Sequence, residues 1–589
     1  MPRLRALAPL ALALLPSIQE SPPPDAEGGA LEFLNPTGTL RVRLRERTIG
    51  FLDPAMSEES FVMAPDGRSL AYMVTTGNGL AVVRNGVEGE SFEAIPFQSI
   101  VFSPDGSRLA YAAYRDSKQH IVLDDKLYPY GAVTEHGIAF SPDSRRAAWV
   151  VEEEQKQLVV LDGNRQTAYD GIDPKGVAFS PDSEHFAYIA TQGTGQCLVL
   201  DEEEGPLLDS IVAFWFTPDG KHLTYVGRSS GKLVLFFDGE PVCESDGMGR
   251  GVVFPNHGGR YAAAVRTGEE WKVLVDGRTF GPYKNVFGIS FSPDGKHLAY
   301  VAGLGAGMFL VMDEVERKDY DAYGSLTFAP VGDRLAYTAR RGSRHVAVID
   351  DKEGPEFDSI GEAGVRFSAD GRHAFYQGVR DDQTIVVLDG KESPPITLFG
   401  ALVPQFVAGG RLVYSTRSKR HETLVVDLVP GPAFEELRQP VFTADGRRFA
   451  YAGKLENRWV VVDDGREIAS HPFVPESPVL SPDGKRIAYR ARSDKSFVVV
   501  DGVEGPKYDQ TRSGSIGFSP AGTHVAYAAA TAEHRYIVID DVVIENGYQG
   551  FHAKSPVLFS DETHCSFRVS RNDRFVLVEM ELEWRPEGR

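Results

Sequence analysis

Cysteine is nearly missing from this chain of 589 residues, which has only Cys197, Cys243 and Cys565. Three cysteines, far apart, with no CxxC and no zinc spacing, exclude a disulfide framework and a cysteine-built metal centre. They are expected as small apolar side chains on strands. Long apolar runs are lacking too: after residue 20 nothing approaches the ~18 apolar residues of a membrane helix. Basic excess is absent, with 62 Lys and Arg against 83 Asp and Glu and a formal net charge of −21. That balance excludes broad binding to a phosphate backbone, and so a nucleic-acid partner. Helical periodicity sustained over about ten residues is missing as well, so the chain is expected to be all-β.

At the N-terminus, Arg3 and Arg5 precede an apolar run from Ala6 to Leu15. This is the charged and apolar layout of a secretory signal peptide, too short to span a bilayer. A leader over residues 1–17 predicts export to the periplasm or beyond the cell; Ala11-Leu12-Ala13 offers an earlier cleavage site. No cysteine lies near the run, which argues against a lipoprotein anchor. Residues 18–30, with "ESPPPDAEGG", read as a disordered linker.

The rest of the chain repeats itself. With the Pro of "SPDG" as ruler, equivalent positions fall at Pro65, Pro104, Pro142, Pro181, Pro218, Asn256, Pro293, Pro330, Ala369, Ala408, Ala444, Pro482, Pro520 and Asp561, at spacings of 36 to 41 residues. Two residues upstream stands Phe in 12 of 14 copies; about seven downstream an aromatic stands in 13, Ala263 being the exception. Self-similarity at such a period marks a repeat architecture. In "SPDG", Pro presets φ, Asp bonds back to the backbone and Gly tolerates positive φ, which makes a tight turn. A short apolar strand precedes it, "RLAYAA" or its equivalent follows, then a polar tip such as "RDSKQ", then a β-branched run closed by Asp in 12 copies. A last short segment, such as "GPLLDSI", leads onward. Each copy therefore supplies four strands in about 38 residues. One such unit cannot bury its own faces, whereas radial stacking of blades in a β-propeller buries both. The recurrent Phe and Tyr are then the contacts between neighbouring blades.

"FSPDGKHLAY" (Phe291–Tyr300) and "LSPDGKRIAY" (Leu480–Tyr489) resemble the WD-repeat-like Pro-Asp β-propeller repeat of TolB and its relatives, over roughly residues 55–580. The resemblance implies tandem propellers of about fourteen four-stranded blades and contact with a protein partner. Two rings of seven are the expected grouping, over residues 31–323 and 324–589, with six plus eight as the rival. "TLRVRLRERTIGFLD" before the first copy and "RFVLVEMELEW" at the end, where a fourth strand is wanting, could complete one blade between them. The pattern thins at Asn256, Ala408 and Asp561, where irregular blades are expected.

Several motifs imitate chemistry. Gly227-Arg228-Ser229-Ser230-Gly231 matches G-x-S-x-G, but that elbow needs a strand-to-helix turn, and here it occupies a hairpin tip. Gly303-Leu304-Gly305-Ala306-Gly307 occupies the same tip two copies on, without the helix that a phosphate cradle requires. The histidines include no HxH or HExxH pair; His222, His297, His373 and His524 fall just after the turn. Glu152–Glu154 and Glu202–Glu204 read as solvated turn charges, there being no calcium-loop pattern. No metal or cofactor is expected.

The tips between second and third strands change sign along the chain. Early ones ("EEEQKQ", "RTGEEW") are mixed or acidic; later ones ("ARRGSRH", "TRSKRHE", "ARSDKS") are basic. Arg340, Arg341, Arg344, Arg417, Lys419, Arg420, Arg490, Arg492, Lys495 and Arg535 would ring one rim of the second propeller and could meet an anionic ligand or acidic partner. The expected function is a non-catalytic scaffold for protein or ligand binding. The alternative, implied by relatives of this repeat, is a propeller lyase or hydrolase acting on an acidic saccharide with a channel-bound metal.

Overall fold

The computed structural model describes residues 30–586, except 36–37, 52–61, 66–68, 97, 129–131, 306, 399–401, 546–547, 549, 552–556 and 572–573. The leader expected over 1–17, and the linker but for Ala30, lie outside the described residues. Among those described there is no α-helix. The strands form fourteen antiparallel sheets in chain order, numbered here as blades one to fourteen. The fold is that of tandem β-propeller blades.

Blade two shows how a copy folds. Val101–Phe102, Leu109–Arg115, Lys118–Leu123 and Lys126–Tyr128 follow one another across the sheet, in a register that opposes Phe102 to Leu109, Arg115 to Lys118 and Leu123 to Lys126. Leu109 to Ala113 are buried without alternation, because both faces of the sheet meet a neighbour. The two faces differ in size. Tyr111 packs back on blade one, while Ala110 and Ala112 receive Trp149 of blade three. Ala148 likewise receives Tyr188, Ala299 receives Tyr337 and Ala336 receives Tyr376. The recurrent "LAY" is thus a knob on one face and its socket on the other, set by the two-residue period of a strand.

The chain forms two compact units, one of residues up to 51 with 495–497 and 505 onward, the other of 52–494 and 498–504. In the larger, apolar seams join each blade to the next from blade one to blade eleven. The seam between blades seven and eight, with Ala299, Val301 and Leu310 against Tyr323, Phe328 and Tyr337, is apolar like the rest.

In the smaller unit the last blade draws on both ends of the chain. His564–Arg571 pairs with Arg574–Pro586, which pairs with Gly38–Phe51, which in turn pairs with Ala30–Asn35. The N-terminal segment is therefore the fourth strand that the final copy lacks. Leu40, Val42 and Leu44 are buried with Val576, Val578, Met580 and Leu582, and blade thirteen adds Ile537 and Ile539 to this core.

Candidate functional site

Each blade has two ends. At one end lie the "SPDG" turn and the turn that closes the third strand. Ser103 Oγ donates to Asp105 Oδ1 at 2.7 Å, the Ser107 N–H donates to the same oxygen at 2.9 Å, and the Arg108 N–H donates to Ser103 Oγ at 3.0 Å. These donors hold Asp105 well below the usual carboxylate range, the Ser107 N–H most strongly. The Ser481 hydroxyl, then the Lys485 N–H, similarly bring Asp483 down to about 2. Hydrogen bonds that favour the ionised form always act in this direction.

The Asp that ends the third strand has a second task beyond turning the chain. Asp124 sits at φ 48° and Asp125 at 64°, the two positive φ values of a type I′ hairpin turn. Its Oδ1 accepts the Leu109 N–H at 3.1 Å, and its Oδ2 accepts Arg108 Nε at 2.7 Å. Arg108 then reaches the next blade, donating from Nη1 to Arg145 O at 2.6 Å and lying over Phe140 at 5.6 Å. Arg146, Arg260, Arg334, Arg411 and Arg448 repeat this clamp. In five blades a histidine stands in the arginine's place: Nδ1 of His185, His222, His297, His373 and His524 meets an Asp Oδ2 at 2.6–2.7 Å. Those histidines brace their own blades. Among the described residues no group of three His, Cys, Asp or Glu converges as a metal site would require.

At the other end lie the tips and the links between blades. A link carboxylate accepts the N–H of the following tip: Asp170 from Gly193 at 2.7 Å, Asp209 from Ser230 at 2.8 Å, Asp321 from Gly342 at 2.7 Å and Asp358 from Asp381 at 2.9 Å. Ser230, with φ 51°, and Gly231 form the hairpin tip joining Leu223–Ser229 to Lys232–Phe237. Ser229, the serine of the apparent nucleophile elbow, therefore ends a strand and runs straight into a hairpin tip, with no helix after it. Gly303 and Leu304 end one strand and Gly307 begins the next, again at a tip, and Ala306 lies outside the described residues. Cys197 and Cys565 are buried on strands, and Cys243 is half-buried on another.

Link aspartates engage two cations of the basic rim, and other carboxylates engage two more. Arg344 pairs with Asp358, Lys495 with Asp509 at 3.3 Å and Arg341 with Glu353 at 2.8 Å. Arg490 lies inside its strand against Glu476 at 3.0 Å, its side chain only 11% exposed. Arg340 donates to Gly342 O, and Arg535 to Thr531 O and His534 O. Arg417 is half-buried on Leu412–Ser418. Lys419, Arg420 and Arg492 are exposed and have no ion-pair partner among the described residues. The link aspartates, four or five residues past the "GP" or its equivalent, are what a reading of the tips alone overlooks. Their fixed offset of 14 residues from a tip cation (Lys156–Asp170, Lys232–Asp246, Arg344–Asp358, Lys495–Asp509) is the signal that could have revealed them.

A cavity of about 790 Å³ opens at the turn end of blades nine to eleven. Phe367, Phe375 and Phe406 form its apolar wall, and Arg366 and Gln405 stand at its margin. Blade ten departs from the pattern here: Ala408–Gly410 is a short 3-10 turn, with Val407 and Gly409 where other copies have Ser and Asp.

No family model matches the chain, and no curated protein matches it in sequence. Among solved structures it is similar to a GH74 enzyme of Niastella koreensis, with 10% identity over 90% of this chain and 98% of that one and a TM-score of 0.22. The β-propeller domain of the Trilobed protease from Pyrococcus furiosus, described as having an open velcro topology, shares 13% identity over 42% and 91%, with a TM-score of 0.20. The dihydro-heme d1 dehydrogenase NirN shares 14% over 55% and 72%, with a TM-score of 0.23.

Proposed function

We propose that this chain is a non-catalytic β-propeller scaffold of the TolB-like repeat type, exported from the cytoplasm, whose tip end engages an acidic protein partner or anionic ligand. The observation that carries this reading is the pinning of the tips. The link carboxylates Asp170, Asp209, Asp321 and Asp358 each fix the backbone of a tip, so those loops form a preset surface, and rigidly mounted loops are where scaffolds carry binding. On that surface Lys419 and Arg420 share one tip and Arg492 ends a second-strand segment, all three exposed and without carboxylate partners among the described residues. The other rim cations hold the frame. In contrast, His222 and His297 are occupied as blade braces, and Ser229 of the apparent elbow ends a strand at a hairpin tip.

The test is recovery of partners from an envelope fraction with the wild type and with K419E/R420E/R492E. Loss of a partner in the variant supports the reading; identical recovery removes the tips from it. The division of the blades into two wheels of seven at residues 323 and 324 is a further part of the proposal, supported by the count of fourteen sheets alone. A protease site placed at that link should release two compact halves once a second cut frees Gly38–Phe51, which stays paired in blade fourteen.

A further inference from the structure

The cavity at the turn end of blades nine to eleven has a sequence origin. The ruler position is Pro in most copies but Ala369, Ala408 and Ala444 in three successive blades, and all three alanines line the cavity. Three pyrrolidine rings are absent from one place. A fourth departure falls at the same seam: the residue before the second-strand Tyr, alanine in most copies, is Phe375 here. Phe375 meets Phe406 of blade ten edge-on at 5.1 Å and packs with Tyr414. The socket is filled from below while the rim above it is stripped. Nor can blade ten restore its missing carboxylate, because a Cβ on Gly409 would lie 2.1 Å from Asp445 O of the next turn.

The charges at this cavity are unequal. Asp370 is engaged: its Oδ1 accepts Ser368 Oγ at 2.5 Å and the Arg372 N–H at 3.1 Å, and Arg372 stands 3.8 Å from Oδ2. Arg366 is exposed and has no partner among the described residues. The space falls within the range of about 300–1,000 Å³ usual for small-molecule sites, which are apolar clefts with a few placed polar groups. From these observations we propose a second binding site, separate from the tips, for a small organic acid with a flat apolar body. Its ring lies on Phe367 and Phe406, above the buried Phe375, and its carboxylate meets the Arg366 guanidinium, whose fork suits a carboxylate.

The probe is naphthoate, with naphthylmethanol as its uncharged analogue, titrated into the full chain by calorimetry. Naphthoate should bind one to one and at least about tenfold more tightly than the alcohol, the weight of a charged hydrogen bond. R366Q should bring the two probes level. A369P/A444P should refill the rim and abolish binding while the melting temperature holds or rises, since these two turns close with the same backbone hydrogen bond, Gly371 N to Ser368 O and Gly446 N to Thr443 O, as the sister turn Gly295 N to Ser292 O, which carries Pro293. K419E/R420E/R492E should bind naphthoate as the wild type does, which keeps this site distinct from the tip proposal. Naphthoate bound equally by R366Q, bound no better than the alcohol, or not bound at millimolar concentration overturns the inference. If A369P/A444P fails to fold, the R366Q comparison decides alone.

Discussion

Arg43 and Glu581 lie directly opposite each other on paired strands, Nη1 to Oε2 at 3.3 Å, 538 positions apart in the sequence. Arg41 faces Glu583 and Arg45 faces Glu579 in the same register, so one side of the strand pair is a ladder of opposite charges while Leu40, Val42 and Leu44 fill the other. Cross-strand pairs of this kind contribute roughly 0.2–1 kcal/mol each, and they also penalise a slipped register, since a one-residue shift turns every side chain over. Arg43→Glu should lower the urea midpoint of the smaller unit by an amount worth about 1 kcal/mol, and R43E/E581R should recover most of it. A double variant no better than the single one would remove the ladder from the account.

The knob and socket between blades predict a larger effect. Tyr300 is 3% exposed, packs against Phe291 and Val273, and bonds Tyr283 hydroxyl to hydroxyl at 3.1 Å. Tyr300→Ala should cost about 3–5 kcal/mol, visible in calorimetry as an earlier transition with loss of near-ultraviolet signal. Ala299→Leu, which overfills the socket for Tyr337, should cost about 1–3 kcal/mol.

Arginine and histidine are unequal occupants of the brace. Arg334 joins Asp350 at 2.7 Å, Gly371 O and Arg372 O of the next blade, and the face of Phe367 at 5.2 Å. A histidine there keeps the first contact and loses the others. Arg334→His should therefore destabilise by about 1.5–3 kcal/mol, while Arg334→Lys, lacking the planar fork, should fall between the two. Urea midpoints of the three proteins check the order.

Acid should loosen the turns within a defined window. Asp143, Asp182, Asp219, Asp370 and Asp445 are all held below their ordinary range, with a Ser or Thr hydroxyl two residues earlier as the leading cause, and Asp483 is lowered to about 2. A carboxylate depressed in the folded state stabilises fully above its unfolded value and loses that contribution as pH falls through the folded one. Melting temperature should thus be flat from about pH 5 upward and drop between about pH 4 and 2. Asp483→Asn should show a smaller drop over that interval and a lower plateau above it; an unchanged slope would contradict the assignment.

The blade was legible before any coordinates, because a turn motif and two aromatic positions recur at one period, and a strand's two-residue alternation then dictates which side chains share a face. The completion of blade fourteen could also be read, from a missing fourth strand at one end and an arginine-rich strand at the other. The rim was legible only as composition. The number of tip cations that remain available depends on link aspartates 14 residues away, as with Lys495 and Asp509, and that pairing exists only once the tip and the link are brought together.

By itself the sequence determined the unit: four strands, a Pro-Asp turn, an alanine socket and an aromatic knob, all consequences of local backbone preference and periodicity. Only the tertiary structure decided which charges stay available and where space is left, because both depend on what the neighbouring blade supplies. Arg366, which precedes the ruler position whereas the clamping arginines follow it, has no ion-pair partner among the described residues, and three alanines meet beside it at a hollow that Asp370 also lines.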